Sequence, residues 1–392
     1  MKITAIETLL VDGGWDVWGF LKMSTDEGLI GWSEFSHARS RKGLHLLIAD
    51  MEEMVLGLDP THPGHVSAHL TATLRTPPEG LRAMAIGSIE NACLDIAGKA
   101  LGVPVSQLLG GRLRDRLPLY WSHCGMYRLR KPELFERLGI AAPIRSLGDI
   151  AGLAAEVAGR GYGGLKTNLL DFPERSGSAG GIRAASDRYA RNIDPEAIAG
   201  AVALMSAFRE GGGPGMELML DVNFNFSAEG MRRLARALEP LDLTWLEMDC
   251  TDAEQLARVR AETQTPIASL ETVLGRRALK PYLLAGAVDV AIIDPVYNGV
   301  LEARRMAAMI EAFDINVAAH NAHGPLTGAM AAQFCAAIPN FRFLEYDPDA
   351  VPWRDELLTP GLAITAGKLN VPTGPGWGCD IDETVARRHL AV

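Results

Sequence analysis

Residues 116–360 keep one pattern: a short apolar run, an amphipathic stretch at helical spacing, then another run. The runs are Leu117–Ser122, Gly164–Asn168, Glu217–Asn223, Leu243–Glu247, Pro266–Glu271, Val288–Asp294, Asn316–His320 and Phe341–Glu345. Between the later ones, helices are expected over Ala253–Glu262, Leu274–Leu284, Leu301–Phe313 and Leu326–Ala337. Apolar runs separated by helical patterns read as buried parallel strands joined by crossover helices. Eight such units predict an α/β chain closed into a (β/α)8, TIM-type barrel. An open doubly wound sheet is the competitor, but it rarely uses eight regular units.

The first 115 residues read differently. Lys2–Glu7 and Gly19–Thr25 alternate as strands, Asp26-Glu27-Gly28 is a turn, and Leu29–Glu34 returns as a hairpin. Helical patterns follow near 42–56 and 64–75, and a long one runs from about Leu81 to Gly98. This predicts an α+β unit over 1–115 beside a barrel over 116–360. The Gly/Pro-rich tail 361–392 is expected to return to the N-terminal unit. Ser176-Gly177-Ser178-Ala179-Gly180-Gly181 marks a mobile excursion between the second and third strands.

Composition excludes some function classes. The net charge is −10, so a nucleic-acid partner is not expected, because phosphate binding needs a basic face. A small anionic substrate stays compatible, since a bound metal makes a site locally positive. Five scattered cysteines suggest neither a disulfide framework nor a zinc knuckle. Neither a signal peptide nor a membrane-spanning run is seen. A reducing cytoplasm is therefore the expected location.

In a TIM barrel the chemistry sits at the C-terminal ends of the strands. Here those ends carry Lys166 and Asn168, Asp221 and Asn223, Glu247, Glu271, Asp294, His320 and Glu345. Burying such groups costs several kcal/mol unless they are paired or used. Asp221, Glu247 and Glu271 fall one βα step apart, and hard oxygen ligands converging on one rim suit Mg²⁺. A lysine beside a divalent cation is expected to have a depressed pKa, which makes Lys166 a candidate base. Asp294 ends the strand before His320, and an Asp–His pair fixes the imidazole tautomer and raises its basicity. A base on one side, a His–Asp dyad on the other and a metal between them suit removal of a proton α to a carboxylate.

Ala85-Ile86-Gly87-Ser88-Ile89-Glu90, Leu94–Val105 and Leu108-Leu109-Gly110-Gly111 are similar to a helix signature of the mandelate racemase branch of the enolase superfamily. The tail Pro372…Pro375-Gly376-Trp377-Gly378…Asp382 resembles that family's C-terminal return. The resemblance spans essentially the whole chain. It implies an α+β capping domain on a modified barrel and one Mg²⁺ held by Asp221, Glu247 and Glu271. It further implies Lys166 as a base, Asp294 and His320 as the dyad, and Glu345 as the acid that meets the substrate carboxylate. Relatives are commonly dimers or octamers, so a homo-oligomer is expected.

The sequence also departs from that pattern. Asn168 stands where a second cation is frequent and is expected to orient Lys166 or the carboxylate. Asn223 stands where some acid-sugar dehydratases place a histidine, which leaves His320 as the acid. Met248-Asp249 follows Glu247, so Asp249 is placed to assist or compete at the metal. Leu270 precedes Glu271 where a glycine is common.

In this family specificity resembles a lid problem. Trp15 and Trp18, in Asp12–Trp18, are candidates to cover a substrate and exclude water. His37 and Arg39 after the hairpin, His123 and Tyr127 after the first barrel strand, and His323 are further candidates to line the pocket. The resemblance points first to dehydration of a sugar acid, an aldonate or aldarate, through an enediolate. A racemase, epimerase or cycloisomerase of a hydroxy acid is the alternative. A non-catalytic metabolite sensor is the alternative of another class.

Overall fold

The computed structural model describes residues 1–38, 41–75, 77–172, 181–182 and 191–391. Arg39 and Ser176–Gly180 lie outside the described residues. Strands β1 (Ile3–Asp12), β2 (Val17–Thr25) and β3 (Ile30–Ser36) form an antiparallel meander. Helices α1 (Leu44–Asp50), α2 (Pro63–Leu74) and α3 (Leu81–Leu101) pack on it around a core that includes Leu21, Met23, Phe35, Ile48 and Ile89. Helix α3 is buried continuously from Met84 to Gly98, because small residues let it lie between the sheet and the barrel. A Cβ on Gly87 would come 2.7 Å from the Gly299 backbone nitrogen, so only glycine permits that approach.

The barrel strands are β4 (Arg116–Trp121), β5 (Gly164–Asn168), β6 (Glu217–Asp221), β7 (Trp245–Glu247), β8 (Ile267–Ser269), β9 (Val290–Ile293), β10 (Asn316–Ala319) and β11 (Phe341–Tyr346). All pair in parallel, and β11 closes on β4 through Leu344↔Leu119 and Glu345↔Tyr120. The helices are α4 (Leu147–Gly159), α5 (Pro195–Gly212), α6 (Ala228–Leu238), α7 (Ala253–Ala261), α8 (Gly275–Leu284), α9 (Val300–Glu311) and α10 (Pro325–Ala337). After β11 a 3-10 segment, Pro352–Leu357, stands where an eighth helix would follow. Inside the barrel Tyr120, Trp245 and Phe343 meet edge to face, with Met219, Ala268 and Ile292 filling around them. This packed plug closes the barrel below the rim and leaves chemistry to the strand ends.

The tail divides its contacts. Strands β12 (Ile364–Thr365) and β13 (Lys368–Asn370) extend antiparallel from β4. Trp377 is then fully buried, its Nε1 donating to the Trp32 carbonyl at 2.8 Å. Farther on, Lys22 pairs with Glu383 at 2.5 Å, and the Asp12 N–H donates to the His389 carbonyl at 2.8 Å. Among the described residues no helix is long and apolar enough to cross a membrane.

Candidate active site

The rim gathers four carboxylates on one side. Asp221 ends β6, Glu247 ends β7, Asp249 follows it, and Glu271 lies just past β8. Asp221, Glu247 and Asp249 are buried. The chain leaves β8 because Leu270 takes φ +97°, the left-handed region that side-chain-bearing residues rarely adopt. Asp249 Oδ1 accepts a 2.9 Å hydrogen bond from Ser269 Oγ beside that turn. Asn223 donates to Asp221 through its backbone at 2.8 Å and its side chain at 3.1 Å.

Burial first, and then mutual repulsion, push these carboxyls up, against the pull of Lys166 and His320. Glu247 reaches about 7, Asp249 about 6 and Glu271 about 8, and Asp221 is raised as well. Glu247 Oε1 is buried with no hydrogen-bond partner, which ordinarily costs about 1–3 kcal/mol. An all-oxygen donor set with excess negative charge and an orphaned oxygen fits a hard divalent cation such as Mg²⁺.

Across from them, Lys166 on β5 is buried between two acids. Its Nζ lies 2.9 Å from Glu247 Oε2 and 3.1 Å from Glu345 Oε1. Burial would lower the Lys166 pKa, but Glu247 and Glu345 outweigh it and hold the ammonium well above its ordinary value. The sequence suggested the opposite direction, on the premise of an adjacent cation. A dication among these carboxylates would partly cancel their charge and lower the Lys166 pKa. Glu345 also accepts from Ser122 Oγ and, at 2.9 Å, from the Asn321 N–H. Burial raises the Glu345 carboxyl, yet Lys166 and then His320 hold it below the usual carboxylate range.

His320 follows β10 and completes the other wall. Its Nδ1 is 2.7 Å from Asp294 Oδ2, and its Nε2 is 3.2 Å from Glu271 Oε2 and 4.0 Å from Glu345 Oε2. Burial lowers its pKa, but Glu271 and Glu345 push it up to about 10. Asp294 is fully buried and shared, because His323 Nε2 also reaches Asp294 Oδ2 at 2.9 Å. Burial raises the Asp294 carboxyl, and the two imidazoles hold it below the ordinary range. One ligand-type atom from each of Asp294, His320 and His323 lies within 4.8 Å of the others, a set that could hold a cation. Asp294 is already satisfied, however. Its Oδ1 accepts the Val296 and Tyr297 N–H groups, and its Oδ2 meets both rings.

The other candidates are more dispersed. Asn168 Nδ2 donates to the Asp221 carbonyl at 3.2 Å, and among the described residues no hydrogen bond joins it to Lys166. Trp15 stacks on Tyr127 and Phe135, with centroids at 4.6 and 5.4 Å. Trp18 is buried, and a Cβ on Gly324 would come 2.6 Å from its Cγ. It therefore sits between the capping sheet and the loop before α10. His37 lies against His45 at 5.2 Å on the capping side. Burial, and then His45, lower its pKa. His123 takes φ +46° and lies 3.3 Å from Asp347 Oδ2 and 5.1 Å from the Tyr127 ring. Ser122, Asn321 and Asp347 escaped the sequence reading. The first two are neutral, and Asp347 lies two residues past a strand end that already carries Glu345.

Comparisons with known proteins agree with this fold. Residues 16–110 match the mandelate racemase/muconate lactonizing enzyme N-terminal domain, and residues 149–385 match the enolase C-terminal domain-like family. A D-xylonate dehydratase of Haloferax volcanii is 30% identical over 396 residues, covering 99% of this chain and 89% of the relative. A D-galactonate dehydratase of Variovorax paradoxus is 29% identical, covering 98% and 93%. A candidate L-alanine-DL-glutamate epimerase of Burkholderia xenovorans strain LB400 superposes with TM-score 0.94 at 37% identity, covering 100% and 98%. A further structure of that candidate epimerase, bound to magnesium and fumarate, superposes with TM-score 0.92 at 36% identity, covering 99% of this chain and 96% of the neighbour. With a capping sheet over a closed parallel barrel and both halves matched, the chain is an enzyme of the mandelate racemase/muconate lactonizing enzyme branch of the enolase superfamily.

Proposed function

We propose that this protein removes the proton α to the carboxylate of a sugar acid and eliminates the β-hydroxyl, converting an aldonate or aldarate into a 2-keto-3-deoxy acid. The observation that supports this reading most directly is Glu345. Lys166 approaches one of its oxygens at 3.1 Å, and His320 stands 4.0 Å from the other. Two proton-transfer groups thus flank one point at the rim. A substrate whose carboxylate meets Glu345 would bring its α-carbon between these two groups, each of which acts as a base in its neutral form. Lys166 or His320, in its neutral form, takes the α-proton, which leaves an enediolate. His320, once protonated, gives its proton to the departing hydroxyl, and Asp294 holds its ring. Asp221, Glu247 and Glu271 would hold Mg²⁺, and Asn223 orients Asp221. When bound, the ion supplies positive charge to the substrate carboxylate as negative charge develops on it.

Purified protein is mixed with Mg²⁺ and a panel of aldonic and aldaric acids, and 2-keto acid is read as its semicarbazone. A 2-keto acid from one or more of them supports the proposal. The two-base geometry also favours a second reading, a 1,1-proton transfer, and a structural neighbour is described as a candidate epimerase. Solvent deuterium entering the α-carbon with no 2-keto acid formed would select that reading.

A further inference from the structure

We infer that His323 is a positioning residue for the reaction: seated by the capping domain, it steadies Asp294, and through Asp294 it holds the His320 ring in the orientation that proton transfer needs. The inference deepens the reading of His320 as a proton-transfer group and rests on it. Asp294 is fully buried and ionised, so its oxygens only accept. Oδ1 takes the Val296 and Tyr297 N–H groups at 2.6 and 2.9 Å. Oδ2 lies 2.7 Å from His320 Nδ1 and 2.9 Å from His323 Nε2. Both rings must therefore donate from those nitrogens, which fixes the tautomer of each when neutral. His320 is left with Nε2 toward the rim, 3.2 Å from Glu271 Oε2. A carboxylate offers about four acceptor sites, and these contacts fill them.

The rings also pack on one another. His323 meets His320 edge to face at 5.3 Å and Tyr297 at 5.2 Å, and Tyr297 lies 5.6 Å from His320. The place of His323 comes from the cap. It precedes Gly324, and the Gly324, Leu326 and Thr327 N–H groups all donate to Glu34 on β3. Arg41, also from the cap, lies 4.4 Å over the Tyr297 ring. The cap is thus joined to the dyad through His323 and Tyr297. Without the His323 N–H, Asp294 Oδ2 is one donor short in a buried site, and its hold on the His320 ring loosens. Glu271 then competes for that ring from the rim side. A small misplacement of a proton-transfer group slows the reaction even where the substrate still binds.

Two variants separate the hydrogen bond from the packing. His323→Gln keeps an N–H donor able to reach Asp294 but loses the ring, and His323→Phe keeps a ring but loses the donor. The first readout is proton NMR of the resting protein with isotope-labelled histidine nitrogens. The His320 Nδ1–H, assigned by its absence in His320→Asn, is expected as a low-field signal in wild type and in His323→Gln. It should be lost or broadened in His323→Phe. The second readout is turnover of an accepted sugar acid in Mg²⁺. In His323→Phe, kcat for 2-keto acid should fall by about 100-fold while KM stays within about threefold, and His323→Gln should recover to within about tenfold of wild type. A signal unchanged in His323→Phe, or two variants alike in signal or in kcat, would overturn the inference. If no sugar acid is turned over, the sugar-acid reading fails, and the NMR comparison alone decides the inference. Should His323→Phe not fold, His323→Leu, which also lacks a donor, takes its place.

Discussion

At the residue scale, the strand-end acids were readable because titratable groups rarely end buried strands without a use. Asp221, Glu247, Glu271, Lys166, Asp294 and His320 all come to the rim, within reach of one another. The turn before Glu271 was less readable. The sequence showed Leu270 where relatives favour glycine, but not that the backbone still takes φ +97°. Asp249, which accepts from Ser269 beside this turn, is the group that steadies it. Asp249→Ala should therefore weaken Mg²⁺ binding by about tenfold, the usual effect of losing an outer support, as read by titration calorimetry. Unchanged affinity would remove Asp249 from the account. Lys166→Met should slow α-proton removal by at least about 100-fold. With no Mg²⁺ present it should also cost about 3–5 kcal/mol in urea unfolding, because Glu247 and Glu345 stay buried without their cation.

At the element scale, β7 and β8 are shorter than the apolar runs suggested. Hydrophobicity marks what is buried, while the ladder stops where the rim residues turn toward the site. The join between β3 and α10 was not legible at all. Glu34 on β3 accepts the Gly324, Leu326 and Thr327 N–H groups at the start of α10, a contact between residues at least 290 positions apart. Burial pushes the Glu34 carboxyl from 4.5 up to about 8, against those three donors. A folded pKa above the unfolded one contributes stability that is full below about 4.5 and is lost as pH rises through about 8. Wild-type protein should therefore lose stability from about pH 5 to pH 8. Glu34→Gln should be less stable by about 1–2 kcal/mol at the lower pH, since one amide oxygen cannot serve three donors, and its pH slope should be flatter. Thermal melts across that range check this, and parallel curves would contradict it.

At the scale of the whole molecule, the barrel and its cap were legible because period and repeat survive in a single sequence. Loop placement was not. Trp15 and Trp18 lie three residues apart, yet Trp15, in the turn before β2, stacks over Tyr127 while Trp18, on β2, is buried against Gly324. The tail is the latch between the two units. Trp377 donates to the Trp32 carbonyl, and its own N–H meets Asp95 Oδ1 at 2.9 Å. Trp377→Ala should cost about 3–5 kcal/mol in urea unfolding. The central claim is that the rim carboxylates, Lys166 and His320 together remove an α-proton. The most direct measurement follows the α-hydrogen of an accepted sugar acid by proton NMR in D2O, with Mg²⁺ and then with excess EDTA. The account predicts that the α-hydrogen signal disappears as 2-keto-3-deoxy acid forms. Both changes should stop in EDTA and in Asp221→Asn, Glu247→Gln and Glu271→Gln. Turnover that survives EDTA or all three substitutions would contradict it.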